Sequence, residues 1–122
     1  DMTDVDVQVK KFQKELSAGI VSFLLLAQLA KAKEPLYGYQ IAKLLEQAGE
    51  SVLASKQSAL YPVLRNLHAA GLLQSEVEPS ISGPPRRYYQ ITPFGQTVFL
   101  AWNDLWQQTR RFVDTVLEGA PV

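Results

Sequence analysis

The chain has 122 residues, with 12 Lys plus Arg balanced by 12 Asp plus Glu, a single His, no Cys, 47% apolar and 20% charged residues. That composition describes one globular domain and excludes a disordered tail, a disulfide scaffold and a polybasic protein. Zinc, thiolate and redox chemistry lack their ligands, and a Ser-His-Asp site would hang on His68 alone, so neither a metal, a cofactor nor an enzyme is expected.

From Val5 onward, Val9, Phe12, Leu16, Ile20, Phe23, Leu24 and Ala27 recur at intervals of three and four, which predicts a first helix capped by Thr3 and bent near Ser17 to Gly19. Its apolar run, Ala18 to Ala30, is broken by Ser22 and Gln28 and falls short of the roughly 20 residues that span a bilayer. Asp1, Asp4 and Asp6 stand where a secretory leader would carry Lys or Arg. The expectation is therefore a cytoplasmic protein without membrane contact.

Pro35 ends the first pattern, and Ile41, Leu44, Leu45 and Ala48 predict a short second helix closed by Gly49. Leu60, Val63, Leu64 and Leu67 predict a third, capped by Ser55 or Ser58 and ended by Gly71. Pro62 is comfortable only in a first turn, so this helix either starts late or is distorted there. Leu72 to Val77 and Arg86 to Thr92 read as a hairpin, and Pro79 to Pro85 as its loose tip.

Thr92-Pro93 sets a cap before a proline at the first helical position, and one long helix follows to about Glu118. Along it Val98, Trp102, Leu105, Thr109, Phe112 and Val116 alternate spacings of four and three, with Phe99, Trp106 and Val113 as a neighbouring stripe. About 26 residues make a rod of roughly 39 Å, too long for so small a domain to cover. Val98, Trp102, Leu105, Trp106, Thr109, Phe112, Val113 and Val116 are therefore candidate dimerisation residues. A folded monomer of this size buries only about two-thirds of its unfolded surface, so pairing would also help stability.

Helix, helix, helix and hairpin in that order is the plan of a winged helix-turn-helix. The fold expected is mainly α with a β-hairpin wing (α+β). Residues 1–92 form the DNA-binding domain and 93–122 a C-terminal dimerisation helix. In that plan the third helix enters the major groove and the hairpin is the wing. Between Ser51 and Asn103 the only acids are Glu76 and Glu78, against Lys56, Arg65, Arg86 and Arg87. Lys56, Gln57, Ser58 and Tyr61 fall in the opening turns of the third helix, where side chains meet base edges and phosphates. With Tyr39, Gln40, Ser55, Arg65, Arg86, Arg87 and Tyr88 they make up the candidate DNA-binding set.

Leu36-Tyr37-Gly38-Tyr39-Gln40-Ile41, then Ala59 to Leu67, Ala70-Gly71-Leu72-Leu73, and Arg86 to Thr92 with Gly95 together resemble the PadR family of bacterial transcriptional regulators. The resemblance runs from about Leu16 to Gly95, and the single long helix after it is similar to the family's short-tailed subfamily. It implies a homodimeric repressor on an inverted-repeat operator in double-stranded DNA, released in some members by phenolic or drug-like ligands. It also implies that Trp106, with Trp102 one turn away, stacks on a planar aromatic effector. One departure is Pro84-Pro85, where the family usually carries another basic residue.

Each residue also has a plainer reading. Tyr37, Tyr39 and Tyr61 can be packing residues with a surface hydroxyl, and for Tyr37 packing is the expectation. Tyr88 and Tyr89 alternate across a strand, so one faces the core. Trp102 and Trp106 can be dimer core rather than a ligand platform. The alternative function is a dimeric winged-helix protein-interaction module without DNA binding, which zero net charge keeps open. Charge reversal at Lys56 and Arg65 separates the two.

Overall fold

A computed structural model describes residues 3–49 and 57–119. Seven elements follow in chain order: α1 (Asp4–Lys31), β1 (Leu36–Tyr37), α2 (Gly38–Gly49), α3 (Gln57–Ala69), β2 (Leu73–Ser80), β3 (Gly83–Ile91) and α4 (Pro93–Glu118). This is the mainly helical winged helix-turn-helix with a long C-terminal helix that the sequence predicts. No helix among the described residues is long and apolar enough to cross a membrane.

α1 starts at a reciprocal cap. Asp6 N–H donates to Thr3 Oγ1 at 3.1 Å and Thr3 N–H donates to Asp6 Oδ2 at 3.2 Å, which satisfies two amide groups the helix itself leaves open. The bend expected near Ser17 to Gly19 does not interrupt the helix, which runs unbroken for 28 residues. α3 ends in a Schellman motif: Gly71, at φ +82°, donates to His68 O, and Leu72 N–H reaches back to Leu67 O, both at 3.0 Å. Only glycine adopts that backbone without strain. Pro62 lies inside α3, so neither a late start nor a first-turn position accommodates it; its ring is exposed, clear of the buried stripe.

β1, β3 and β2 form an antiparallel sheet with β3 central. Leu36 pairs with Tyr89 and Tyr37 with Tyr88, while β2 pairs from Leu73 opposite Ile91 to Ser80 opposite Gly83. From Pro79 to Pro85, where the prolines predict a loose tip, the chain is instead paired up to Ser80 opposite Gly83. Both strands persist almost to the end of the wing, leaving Ile81 and Ser82 as a two-residue connection. The prolines fit because the register shifts between Glu78 and Ser80, so the ladder is already interrupted where their missing N–H groups would fall. β1 reaches only Tyr88 and Tyr89 and asks nothing of Pro84 or Pro85.

The core joins Leu25, Leu26 and Leu29 of α1, Ile41 of α2, Leu60, Leu64 and Leu67 of α3, and Leu72, Leu73 and Tyr89 of the sheet. Thr92 seats α4 on it. Its hydroxyl accepts from Gly95 N–H at 2.9 Å and donates to Gly71 O at 2.7 Å, locking the helix start to the end of α3. A Cβ at Gly95 would run into the carbonyl oxygen of Leu72, so α4 lies flush against the entry of β2 only because that residue is glycine.

Candidate nucleic-acid interface

α3 and the wing enclose an open groove of about 550 Å³ lined by Tyr37, Gly38, Tyr61, Arg65, His68, Ser75, Pro85, Arg86, Arg87 and Tyr89. Arg65 and His68 come from the exposed side of α3, and Arg86 and Arg87 from β3. No acid is among these residues, and three arginines contribute to one concave surface open to solvent. A concavity lined by arginines and no acid attracts a polyanion, because a cleft focuses the field of the charges that line it.

The two neighbouring arginines are held differently, because side chains alternate across a strand. Arg87 Nη1 donates to Ser75 Oγ at 2.9 Å, on the side of the sheet that turns toward α3. Arg86 lies with its Cζ 4.5 Å from the centroid of the Tyr37 ring. Tyr37 is braced in turn, edge-on by Tyr88 at 5.4 Å and in a stack with Tyr39 at 6.3 Å, and Lys43 Nζ caps the Tyr39 ring at 5.7 Å. Cations attract ring faces through the aromatic quadrupole, so Arg86, Tyr37, Tyr39 and Lys43 form one continuous run.

Most of the described residues of the candidate DNA-binding set therefore lie around α3 and the wing. Tyr61 packs its ring so closely on Gly38 that a Cβ there would meet it at 2.5 Å, which fixes the angle between α2 and α3. Gln40 is turned inward: its Oε1 accepts the N–H of Tyr37 at 3.0 Å across the start of α2. Tyr39 and Tyr88 belong to the aromatic run, and Tyr89 is the member of the Tyr pair that faces the core. Gln57 and Ser58 open α3, while Ser55 and Lys56 lie outside the described residues. The sequence reading missed the central place of Tyr37 and the parts of Ser75 and His68. Alternation along β2 could have pointed to Ser75, but nothing local announces the two-residue strand that positions Tyr37.

At the opposite end of the molecule, Val98 and Trp102 pack half-buried against the chain's own core. Phe23 of α1 stacks on Phe99 at 5.9 Å and meets Trp106 at 6.5 Å. Beside them Leu16, Ile20, Phe23, Trp102, Leu105 and Trp106 line most of an open, largely apolar cavity of about 580 Å³. Further along α4, Phe112, Val113 and Val116 are exposed, and so are Val5, Val9 and Phe12 at the start of α1. Thr109 returns its hydroxyl to Leu105 O at 2.8 Å.

The model of the Transcriptional regulator PadR-like family matches residues 25–101. Among solved structures, the chain resembles a PadR family transcriptional regulator from Eggerthella lenta DSM 2243, with 34% identity over 95% of this chain and 97% of that one and a TM-score of 0.81. A PadR family transcription regulator from Clostridium difficile R20291 shares 25% identity over 80% of this chain and 98% of its own, with a TM-score of 0.65. A PadR-like transcriptional regulator from Bacillus cereus, 23% identical over 88% of this chain and 100% of its own, has the same fold at a TM-score of 0.72. No curated protein matches the chain.

Proposed function

The chain belongs to the PadR-like family of transcriptional regulators, a family of regulators and not of enzymes, and from that premise we propose that it is a homodimeric repressor of an inverted-repeat operator, released by a planar aromatic small molecule. One observation carries the DNA-binding part: Arg65, Arg86 and Arg87 share a groove between α3 and the wing that no acid lines. Phosphate contacts from these side chains supply affinity, and the opening turns of α3 supply sequence choice. The two copies of α3 meet half-sites about one helical turn apart.

Pairing uses the apolar stripe of α4, from Leu105 through Phe112, Val113 and Val116, together with Val5, Val9 and Phe12 of α1, all of them exposed in the single chain. The effector enters beside Trp102 and Trp106, where a cavity of about 580 Å³ has room for a flat ring system. A molecule wedged there changes the span between the two α3 elements and costs the dimer one half-site, a shift between two dimer geometries. Quenching of tryptophan fluorescence by flat aromatic compounds, lost in Trp106→Ala, is the expected signature.

Capture of genomic fragments on the purified chain supplies the operator probe, and anisotropy against salt then tests the reading. Arg65→Glu with Arg87→Glu should abolish retention of the captured duplex and flatten the salt dependence. Unchanged retention would instead support the dimeric protein-interaction module.

A further inference from the structure

Arg86 has two competing neighbours. Glu78 stands opposite it in the register of β2 and β3, the ordinary place for a cross-strand ion pair. Tyr37 offers the face of its ring from the next strand, and the guanidinium takes the ring, with its Cζ 4.5 Å from the centroid. Among the described residues no acid pairs with Arg86; the ion pair formed in this region joins Lys43 to Glu46 at 3.6 Å. The choice matters for binding, because a guanidinium already joined to a carboxylate has less charge to offer a phosphate, whereas one resting on a ring keeps its charge and its outward donors.

The ring is held in place before any ligand arrives. Its backbone pairs with Tyr88 in the sheet, its N–H is tied to Gln40 Oε1 at 3.0 Å, and Tyr88 and Tyr39 pack against it on two sides. We propose that Tyr37 is a positioning residue that holds Arg86 away from Glu78, so that the wing presents an unpaired arginine to the DNA backbone. The proposal rests on the DNA-binding reading and assigns Tyr37 no base contact of its own. It also separates the arginine pair: Arg86 depends on an aromatic ring, while Arg87 is set independently by Ser75.

The salt slope of binding to the captured duplex tests this, because each phosphate contact contributes close to 0.9 to the log-log slope. In Tyr37→Leu, Arg86 falls back to Glu78 and the slope should drop by nearly one for each protomer. Tyr37→Phe keeps the ring and should keep the slope. Glu78→Gln in the Tyr37→Leu background removes the competitor and should restore it, which a general loss of fold would not allow. Glu78→Gln alone provides a check that needs no change at Tyr37: the slope stays put if Arg86 is already withheld from Glu78, and an increase of about one overturns the proposal. An unchanged slope in Tyr37→Leu, or a further drop when Tyr37→Leu is added to Arg86→Ala, also overturns it. A wild-type chain that retains no duplex at all would bring down the DNA-binding reading as well, and so is distinguishable from these outcomes.

Discussion

In the head of the molecule, where α2, α3, the sheet and the second half of α1 meet, Leu25, Leu26, Ile41 and Leu64 are sealed to 0% exposure. In the arm, formed by the start of α1 and the far end of α4, Phe12 is 64% exposed, Phe112 68% and Val116 63%. The residue types are alike and the periodicity equally regular, yet one set encloses a core and the other faces solvent. Apolar side chains at helical spacing thus specify a buried face without specifying what buries it. The head closes on itself because three helices and a sheet converge there, whereas the arm offers two helical stripes that none of the described residues covers. Exposed apolar side chains on these two helices are the surface that the proposed pairing would bury.

The sharpest way to break that contrast is to damage each region and compare the responses. Leu64→Ala removes a side chain with no exposed surface and leaves a cavity that the converging elements cannot close, so unfolding in urea should show a loss of about 3 kcal/mol. That loss should not depend on protein concentration. In the arm, Phe112→Asp with Val116→Asp should leave the helical signal of the head intact while raising the dimer dissociation constant at least about 100-fold, close to 2.7 kcal/mol. Sedimentation velocity across a dilution series measures it, and a double variant that sediments as the wild type would show that the stripe is not the pairing surface.

These two regions were not equally legible in the sequence. α4 was clear from Thr92 to its end because its signals are local: a capping hydroxyl, a proline at the first position and an unbroken stripe. The cap of α1 at Thr3 was clear for the same reason. The wing was legible as a hairpin but not in its length, since Pro79, Pro84 and Pro85 argue locally for a loop, and only pairing with a shifted register makes them tolerable in strands. β1 had no local signature at all. Two residues become a strand only because β3 lies beside them, and the ring of Tyr37 takes its role from that pairing. Composition could therefore gather the basic residues of the site, while the difference between Arg86 and Arg87 required the sheet.

The junction between head and arm can be probed at Gly95. A Cβ there would collide with the Leu72 carbonyl oxygen and stand 2.7 Å from Ile91 Cγ1, and backbone cannot yield as a flexible side chain would. Gly95→Ala should therefore cost about 2 kcal/mol, overpacking outweighing the gain in helix propensity. Thermal unfolding of the variant measures this, and a rise in stability would mean that α4 is seated less tightly than the Thr92 hydrogen bonds indicate.

Gly19 carries the smallest expected effect and the opposite sign. It too lies inside a long helix, but a Cβ added there meets nothing within 4 Å and projects beside the cavity that Trp102 and Trp106 line. With no collision to offset it, the ordinary helical preference for alanine should prevail, and Gly19→Ala should stabilise the chain by about 0.5–1 kcal/mol. The gain should appear as a higher urea midpoint with the slope unchanged. Loss of stability in Gly19→Ala would show that the space beside residue 19 is already taken, as it would be if the partner's arm or a bound effector sat directly against α1 at that level. The sign at this one methyl group therefore reports whether the unfilled side of the arm is still open in the assembled protein.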